Sequence, residues 1–118
     1  MFEVVFYATA GGNEPVLEWL RSLTRDERAV VGTDLRTVQI GFPIGMPVCR
    51  PLGDGLHEVR SSLPTRKEAR LIFFQDGSDL VIVGGFIKKT TPKTEIDSAL
   101  KRKREYTRGK RNVRSGRE

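Results

Sequence analysis

LHEVRSSLPTRKEARLIFFQDGSDLVIVGGFIKKTTPKTE, which runs from Leu56 to Glu95, is the stretch of sequence that decides the fold. It contains three hydrophobic runs separated by turn signals. Asp76-Gly77 is the strongest of these signals, because Asp-Gly favours the tight turns of β-hairpins. The third run is apolar on both faces, as expected of a central strand, and its Gly84-Gly85 pair allows a close backbone approach or a bulge. The stretch therefore predicts three strands in an antiparallel meander.

Cations occupy particular places in this meander. Arg60 closes the first predicted strand, Arg70 lies inside the second, and Lys88 and Lys89 follow the third. Neighbouring strands bring residues that are distant in sequence side by side. We therefore expect these four side chains to share one face or rim and to form a site for a phosphate-bearing partner, with RNA as the first choice.

The N-terminal half predicts one more strand and two helices. Phe2–Ala8 alternates in the manner of a strand with one buried face. Apolar residues at helical spacing over Val16–Leu23 predict a first helix, with Trp19 inside its buried stripe. Thr24 and Glu27 form a capping-box pattern that starts a second helix at once, so we expect a helical hairpin. The Gly- and Pro-rich residues 41–55 read as a loop.

A last helix is predicted after Thr91-Pro92, with Ile96, Leu100 and Tyr106 on its apolar side. The complete prediction is an α+β fold. In it, an N-terminal helical hairpin packs on a small, mostly antiparallel four-stranded sheet, followed by the C-terminal helix. Residues 1–108 form one domain, and residues 109–118 form a basic, flexible tail.

The net charge of +6 is unevenly distributed along the 118 residues. Residues 1–100 hold 12 Lys/Arg and 13 Asp/Glu, whereas residues 101–118 hold nine Lys/Arg and two acidic residues. A basic terminus attracts nucleic acid by releasing counterions, and its alternative reading is a solvated end. No window resembles a signal peptide or a membrane span, and Cys49 is the only cysteine, which favours a reducing cytoplasm.

The residues in this stretch could cleave RNA without a metal or another cofactor. Attack of a 2′-hydroxyl on the neighbouring phosphorus needs a proton acceptor, a proton donor and positive charge beside the phosphorane. Arg70, Arg60 and Lys89 can supply charge, and Lys89, Glu58 or His57 can move protons. The catalytic candidates are Arg70, Arg60, Lys89, Glu58 and His57; the RNA-binding candidates are Lys88, Arg66, Lys67 and Lys93.

Each candidate also has a structural alternative. Arg70 can simply pair with Glu58 or Glu68, and His57 can be a packed or surface residue. Lys88 and Lys89 can be a solvated strand end. One His and one Cys cannot make a zinc site of the usual kind, so no metal is expected. The catalytic prediction therefore depends on convergence of the cations.

The sequence from residue 50 to residue 105 resembles the phage-derived, HigB-like branch of the RelE/ParE toxin superfamily. GLHEVR corresponds to a GLYELR-like strand, and Arg70 begins an R-x-x-YF-like strand. GFIKKT and TPKTEI follow in the family order. His57 replaces the usual aromatic, and no Tyr or His follows the last strand.

The resemblance implies the toxin of a type II toxin–antitoxin system. Such toxins cut mRNA on the ribosome without a metal, and a helix-turn-helix, HigA-like antitoxin neutralises them. By position, Arg70 matches the arginine that contacts the scissile phosphate, while Arg60, Lys88 and Lys89 match the rim of the active site. The alternatives are a non-enzymatic, ParE-like inhibitor of gyrase and a general nucleic-acid-binding module held to its target by the basic tail.

Overall fold

A computed structural model describes the backbone of residues 1–117 and the side chains of residues 1–109. This part of the chain forms one mixed five-stranded sheet with three helices, in the strand order β1-β5-β4-β3-β2. The α+β class is confirmed, whereas the predicted number of four strands is wrong. The elements are β1 (Glu3–Phe6), α1 (Pro15–Ser22), α2 (Arg25–Gly41), β2 (Cys49–Gly53), β3 (Leu56–Ser62), β4 (Glu68–Asp76), β5 (Asp79–Ile87) and α3 (Lys93–Arg117).

The predicted meander of β3, β4 and β5 is confirmed. Arg60 lies opposite Arg70 in the antiparallel β3–β4 pair, and Arg70 lies opposite Phe86 in the β4–β5 pair. Gly77 adopts a φ of 60° in the tight turn between β4 and β5, a conformation that glycine takes without steric cost. A register shift opposite the Gly84 region marks a bulge in this pair. The meander thus forms the centre of the sheet.

Both outer strands depart from the prediction. β1 pairs in parallel with β5, and β2 forms an antiparallel edge beside β3 within residues that read as a loop. Pro51 lacks a backbone N–H, and Gly53 has a φ of 94°, so this segment carries little sequence signal for a strand. An edge strand tolerates both residues, because only one of its sides has to pair.

The two N-terminal helices begin and end close to where the sequence places them. The capping box is present: the Thr24 hydroxyl accepts from the Glu27 backbone N–H at 3.2 Å, and the Glu27 carboxylate accepts from the Thr24 N–H at 2.9 Å. The helices do not pack as an isolated hairpin, however. The main contacts of α1 are with β5, and those of α2 are with β3. The sheet offers each apolar stripe more surface than the other helix does.

The sheet separates two hydrophobic cores. On one face, α1 and α2 cover a core that includes Val31, Val38 and Phe73, with Trp19 packed against it as predicted. On the other face, α3 covers Leu56, Ile72 and Phe74 through Ala99 and its apolar neighbours. None of the helices within residues 1–117 combines the length and the apolar content needed to cross a membrane.

The backbone of residues 109–117 continues α3 rather than starting a new segment. The side chains of residues 110–118 lie outside the described part of the chain, and so does the predicted flexibility of the tail.

Candidate functional site

Arg70 is buried in the middle of a hydrogen-bonded network. Its side chain is 5% exposed, and Nη1 lies 2.6 Å from Glu58 Oε1 while Nη2 lies 2.7 Å from Glu68 Oε2. Nε donates to the backbone carbonyl of Lys88 at 2.9 Å, and Nη2 also donates to the carbonyl of Lys89. A guanidinium has five N–H donors in a fixed fork, which suits this divergent set of acceptors. Arg70 therefore clamps the chain that leaves β5.

Glu58 is the anionic centre of the same network, and its side chain is fully buried. Its Oε1 accepts from Arg70 and, at 3.1 Å, from Nε of Arg50 on β2. Its Oε2 accepts from the hydroxyl of Thr91, which in turn accepts from Arg50 Nη2 at 3.1 Å. A buried carboxylate needs such partners, since an unpaired charge in the interior is very costly. Four segments of the chain thus meet at Glu58.

The network determines where Lys88 and Lys89 lie. Arg70 holds their two carbonyls, and Thr91 is tied to Glu58, so the backbone from 88 to 91 is fixed against the end of the sheet. Both lysine side chains are exposed. Lys88 Nζ lies 3.0 Å from Glu95 and above the Phe86 ring, whereas Lys89 has no side-chain ion pair among the described residues. The two ammonium groups are therefore presented to solvent from a rigid segment.

Two further cations face this segment from the β3–β4 turn. Arg66 and Lys67 are exposed, and Arg66 has a φ of 62° in a turn closed by a 2.8 Å hydrogen bond from Leu63 N to Lys67 O. The turn and the end of β5 enclose an open cavity with a volume of about 520 Å³. We call it the cationic groove. It is lined by Arg66, Lys67, Glu68, Ile87, Lys88 and Lys89.

Arg60 lies apart from the cationic groove. It lines a separate cavity with Arg50 and Glu58, whose volume is about 10 Å³. A volume of roughly 10–15 Å³ is the minimum for one water molecule, so a phosphodiester does not fit there. The structure therefore does not bring Arg60 together with Lys88 and Lys89 in one pocket.

His57 lies on the other face of the sheet from Arg70. Its ring stacks on Phe73 with centroids 5.4 Å apart and meets the edge of Phe42 at 4.9 Å. Burial lowers the pKa of His57 below 6.5, and the positive charge of Lys103 lowers it further. The structure thus separates His57 from the groove cations and gives it a packing role.

The sequence candidate Lys93 and the only cysteine, Cys49, also lie outside the cationic groove. Lys93 is exposed in the first turn of α3, where its ammonium lies 3.4 Å from Asp97. Cys49, the first residue of β2, is buried in the core. Burial, together with the charge of Glu58, raises the pKa of the Cys49 thiol to about 11, so the thiol is protonated and unreactive near neutral pH.

Three residues of the site were not among the sequence candidates. Arg50 and Thr91 complete the buried network, and Glu68 lines the groove while pairing with Arg70. The sequence allowed Arg70 to pair with Glu58 or Glu68, and both pairs are present. It gave no signal for Arg50, because the residues of β2 show no strand pattern.

The cationic groove has the chemistry of an anion site. Four cations surround it, and the carboxylate of Glu68 is already held by Arg70. The side chains of Lys67, Lys89 and Arg66 make no hydrogen bond or ion pair with any described residue, so their charges are available to a phosphate. Arg70, by contrast, uses its donors within the protein.

Comparison with known proteins places the chain in a family. The family model described as "Phage derived protein Gp49-like (DUF891)" matches residues 18–104, which is more than half of the chain. The match covers the second half of α1, all of α2, every strand except β1, and α3 as far as Arg104. A search of curated proteins finds no match to this chain.

Proposed function

We propose that this chain, which belongs to the Gp49-like family of phage-derived proteins, is the toxin of a type II toxin–antitoxin pair and cleaves mRNA on the ribosome. The family is associated with RelE-like and toxin-like proteins. The observation that carries the proposal is the cationic groove, in which Arg66, Lys67, Lys88 and Lys89 converge at one end of a rigid sheet. A helix-turn-helix antitoxin and the ribosome are the partners that go with this function.

In this proposal the groove cations bind the phosphodiester and stabilise the charge that develops on the phosphorane. Lys89 is the candidate for proton transfer, because its ammonium is unpaired within the described chain and lies in the groove. Glu68 is the second candidate, since its side chain is 35% exposed there. Arg70 and Glu58 act as positioning residues, which hold the Lys88–Lys89 backbone and do not touch the RNA.

The test is expression of a Lys88→Gln/Lys89→Gln variant in growing cells, with mRNA 5′ ends mapped after induction. We expect wild type to arrest growth and to create new 5′ ends inside reading frames, and the variant to do neither. Arg36→Glu is the matched control, because it changes the net charge by the same amount. Arg36 is exposed on α2 and is not among the residues that line the groove.

Two outcomes would contradict the proposal. One is cleavage by the lysine variant at the wild-type sites and rate. The other is growth arrest by wild type with a DNA-damage response and no new mRNA ends, which would point to a gyrase inhibitor. Thermal unfolding of both purified variants checks that each is folded. We expect the lysine variant to be folded, because neither lysine contributes its side chain to a hydrophobic core.

A further inference from the structure

A second cationic surface lies on α3, away from the groove. Lys103, Arg104 and Arg108 line an open cavity of about 610 Å³ together with Leu100, Thr107 and Asp54. We call these three cations the α3 cationic face. Arg104 and Arg108 are four residues apart, so their side chains leave the helix on the same side, one turn from each other.

The charges of this face are available to a partner. Arg104 and Arg108 are exposed, and within residues 1–109 neither side chain makes a hydrogen bond or an ion pair. Lys103 is fixed at the bottom of the cavity, where its ammonium donates to the backbone carbonyl of Asp54 at 2.5 Å and lies above the Phe74 ring. Asp54 is the one acidic residue among the described residues that line the cavity.

The α3 cationic face and the cationic groove lie at opposite ends of β3. Asp54 precedes the first residue of β3, whereas Arg66 and Lys67 follow its last residue. A seven-residue strand is about 20 Å long at roughly 3.3 Å per residue. Nucleic-acid phosphates recur about every 3.4 Å along a strand in a duplex. A strand stacked as it is in a duplex therefore spans the distance with about six nucleotides.

The composition of α3 favours nucleic acid over a membrane as the partner. A helix that lies on a membrane inserts an apolar face between the lipids. The apolar residues Ile96, Ala99, Leu100 and Tyr106 of α3 are already packed on the sheet. What remains is positive charge, with nine Lys/Arg and two acidic residues over 101–118.

We infer that the α3 cationic face binds the sugar–phosphate backbone of RNA, which in the proposed function is the RNA that also enters the groove. The inference depends on the proposed function only for its choice of RNA. Phosphate contacts of this kind supply affinity and orientation but read no sequence. The face thus contributes to RNA binding, while the groove carries the chemistry.

The test is binding of a labelled RNA of roughly 12 nucleotides, longer than both surfaces need, to the full chain over a series of salt concentrations. We expect Arg104→Gln/Arg108→Gln to bind more weakly than wild type. The slope of log affinity against log salt should fall by about 1.4, because each phosphate contact to a single strand contributes roughly 0.7. Arg36→Glu carries the same net charge and should keep the wild-type slope.

Asp54→Asn provides a variant of the opposite sign. Asp54 has a φ of 54°, a conformation that Asn also tolerates, so the turn is preserved. Removing this negative charge should tighten RNA binding, and a variant that merely failed to fold would not do so. Unchanged affinity in both the Arg104/Arg108 and Asp54 variants, or an equal loss in Arg36→Glu, would overturn the inference.

Other partners are tested in parallel. The inference is also overturned if Arg104→Gln/Arg108→Gln binds RNA like wild type but no longer binds poly-glutamate or phosphatidylserine vesicles. The groove variant separates the two proposals. If Lys88→Gln/Lys89→Gln still cleaves mRNA while Arg104→Gln/Arg108→Gln loses RNA affinity, the proposed function fails and this inference stands. The reverse result leaves the proposed function and removes this inference.

Discussion

Arg70 illustrates how burial changes the role of a cation. Its position inside an apolar strand made it a catalytic candidate, with pairing to Glu58 or Glu68 as the alternative. Both carboxylates do pair with it, and two backbone carbonyls use its other donors. A lysine has three donors on one nitrogen and cannot reach acceptors that diverge in this way. The guanidinium is therefore required by the local geometry itself.

The Arg70–Glu58 pair predicts strong energetic coupling. Arg70→Gln should destabilise the protein by about 3–5 kcal/mol, because Glu58 stays buried with one partner fewer. Glu58→Gln should also be costly, and the double variant should cost less than the sum of the two. Urea unfolding of the four proteins measures the coupling. Arg60→Gln, at the register neighbour of Arg70, is the control and should change stability by no more than about 0.5 kcal/mol. Strict additivity would contradict the network.

His57 predicts a pH-dependent contribution to stability. Its pKa is lowered in the folded state by burial, so the unfolded chain takes up a proton first as the pH falls. The free energy of unfolding should therefore decrease below about pH 6.5, the unperturbed histidine pKa, and not change through His57 above it. His57→Phe, which keeps a ring between Phe42 and Phe73, should remove this component.

The measurement is the urea midpoint from pH 7.5 to 5.5, taken as the difference between wild type and His57→Phe, since acidic groups common to both cancel. Parallel curves for the two proteins would show that His57 titrates equally in the folded and unfolded states.

At the scale of the elements, α1 packs closely on β5 because Gly85 has no side chain. A Cβ added at Gly85 would lie 2.6 Å from the Trp19 ring and 3.1 Å from Val16. Gly85→Ala should therefore destabilise the protein by about 1–3 kcal/mol through overpacking. Gly84→Ala is the matched control in the same strand, because its Cβ would lie at an ordinary 3.4 Å from Ile72. Denaturant unfolding followed by Trp19 fluorescence distinguishes the two, and equal stability would contradict the close packing.

The sequence predicts an element well where its hydrophobic pattern matches the burial of its side chains in the structure. β3, β4 and β5 alternate or are continuously apolar, and the Thr24–Glu27 capping box marks the start of α2 directly. β2 could not be predicted, because this edge strand contains Pro51 and shows neither alternating hydrophobicity nor residues with high strand propensity. The groove was predicted in part, since Lys88 and Lys89 lie there. His57 does not, because alternation along β3 turns it to the face opposite Glu58 and Arg60. Arg60 lines a separate, much smaller cavity, which the sequence pattern does not reveal.

At the scale of the whole molecule, cations are concentrated on two surfaces near opposite ends of β3. The groove cations lie beyond one end of β3, and the α3 cationic face lies beside the other. Residues 1–100, which include the groove, are close to neutral overall, whereas residues 101–118, which include the α3 cationic face, hold nine Lys/Arg and two acidic residues. Two weak sites joined by a rigid sheet bind one long ligand more tightly than either alone, because the second contact is intramolecular. The proposed binding of RNA at both surfaces therefore predicts that affinity rises with RNA length.

The parallel pairing of β1 with β5 has a consequence for how the chain folds. Glu3 aligns with Asp79 and Phe6 with Ile82, so β1 has no strand to pair with until β5 has been synthesised. Contacts between residues so far apart in sequence form slowly, because the intervening chain must be closed into a loop. During synthesis β1 therefore stays unpaired with any strand, and it joins the sheet only when β5 is complete.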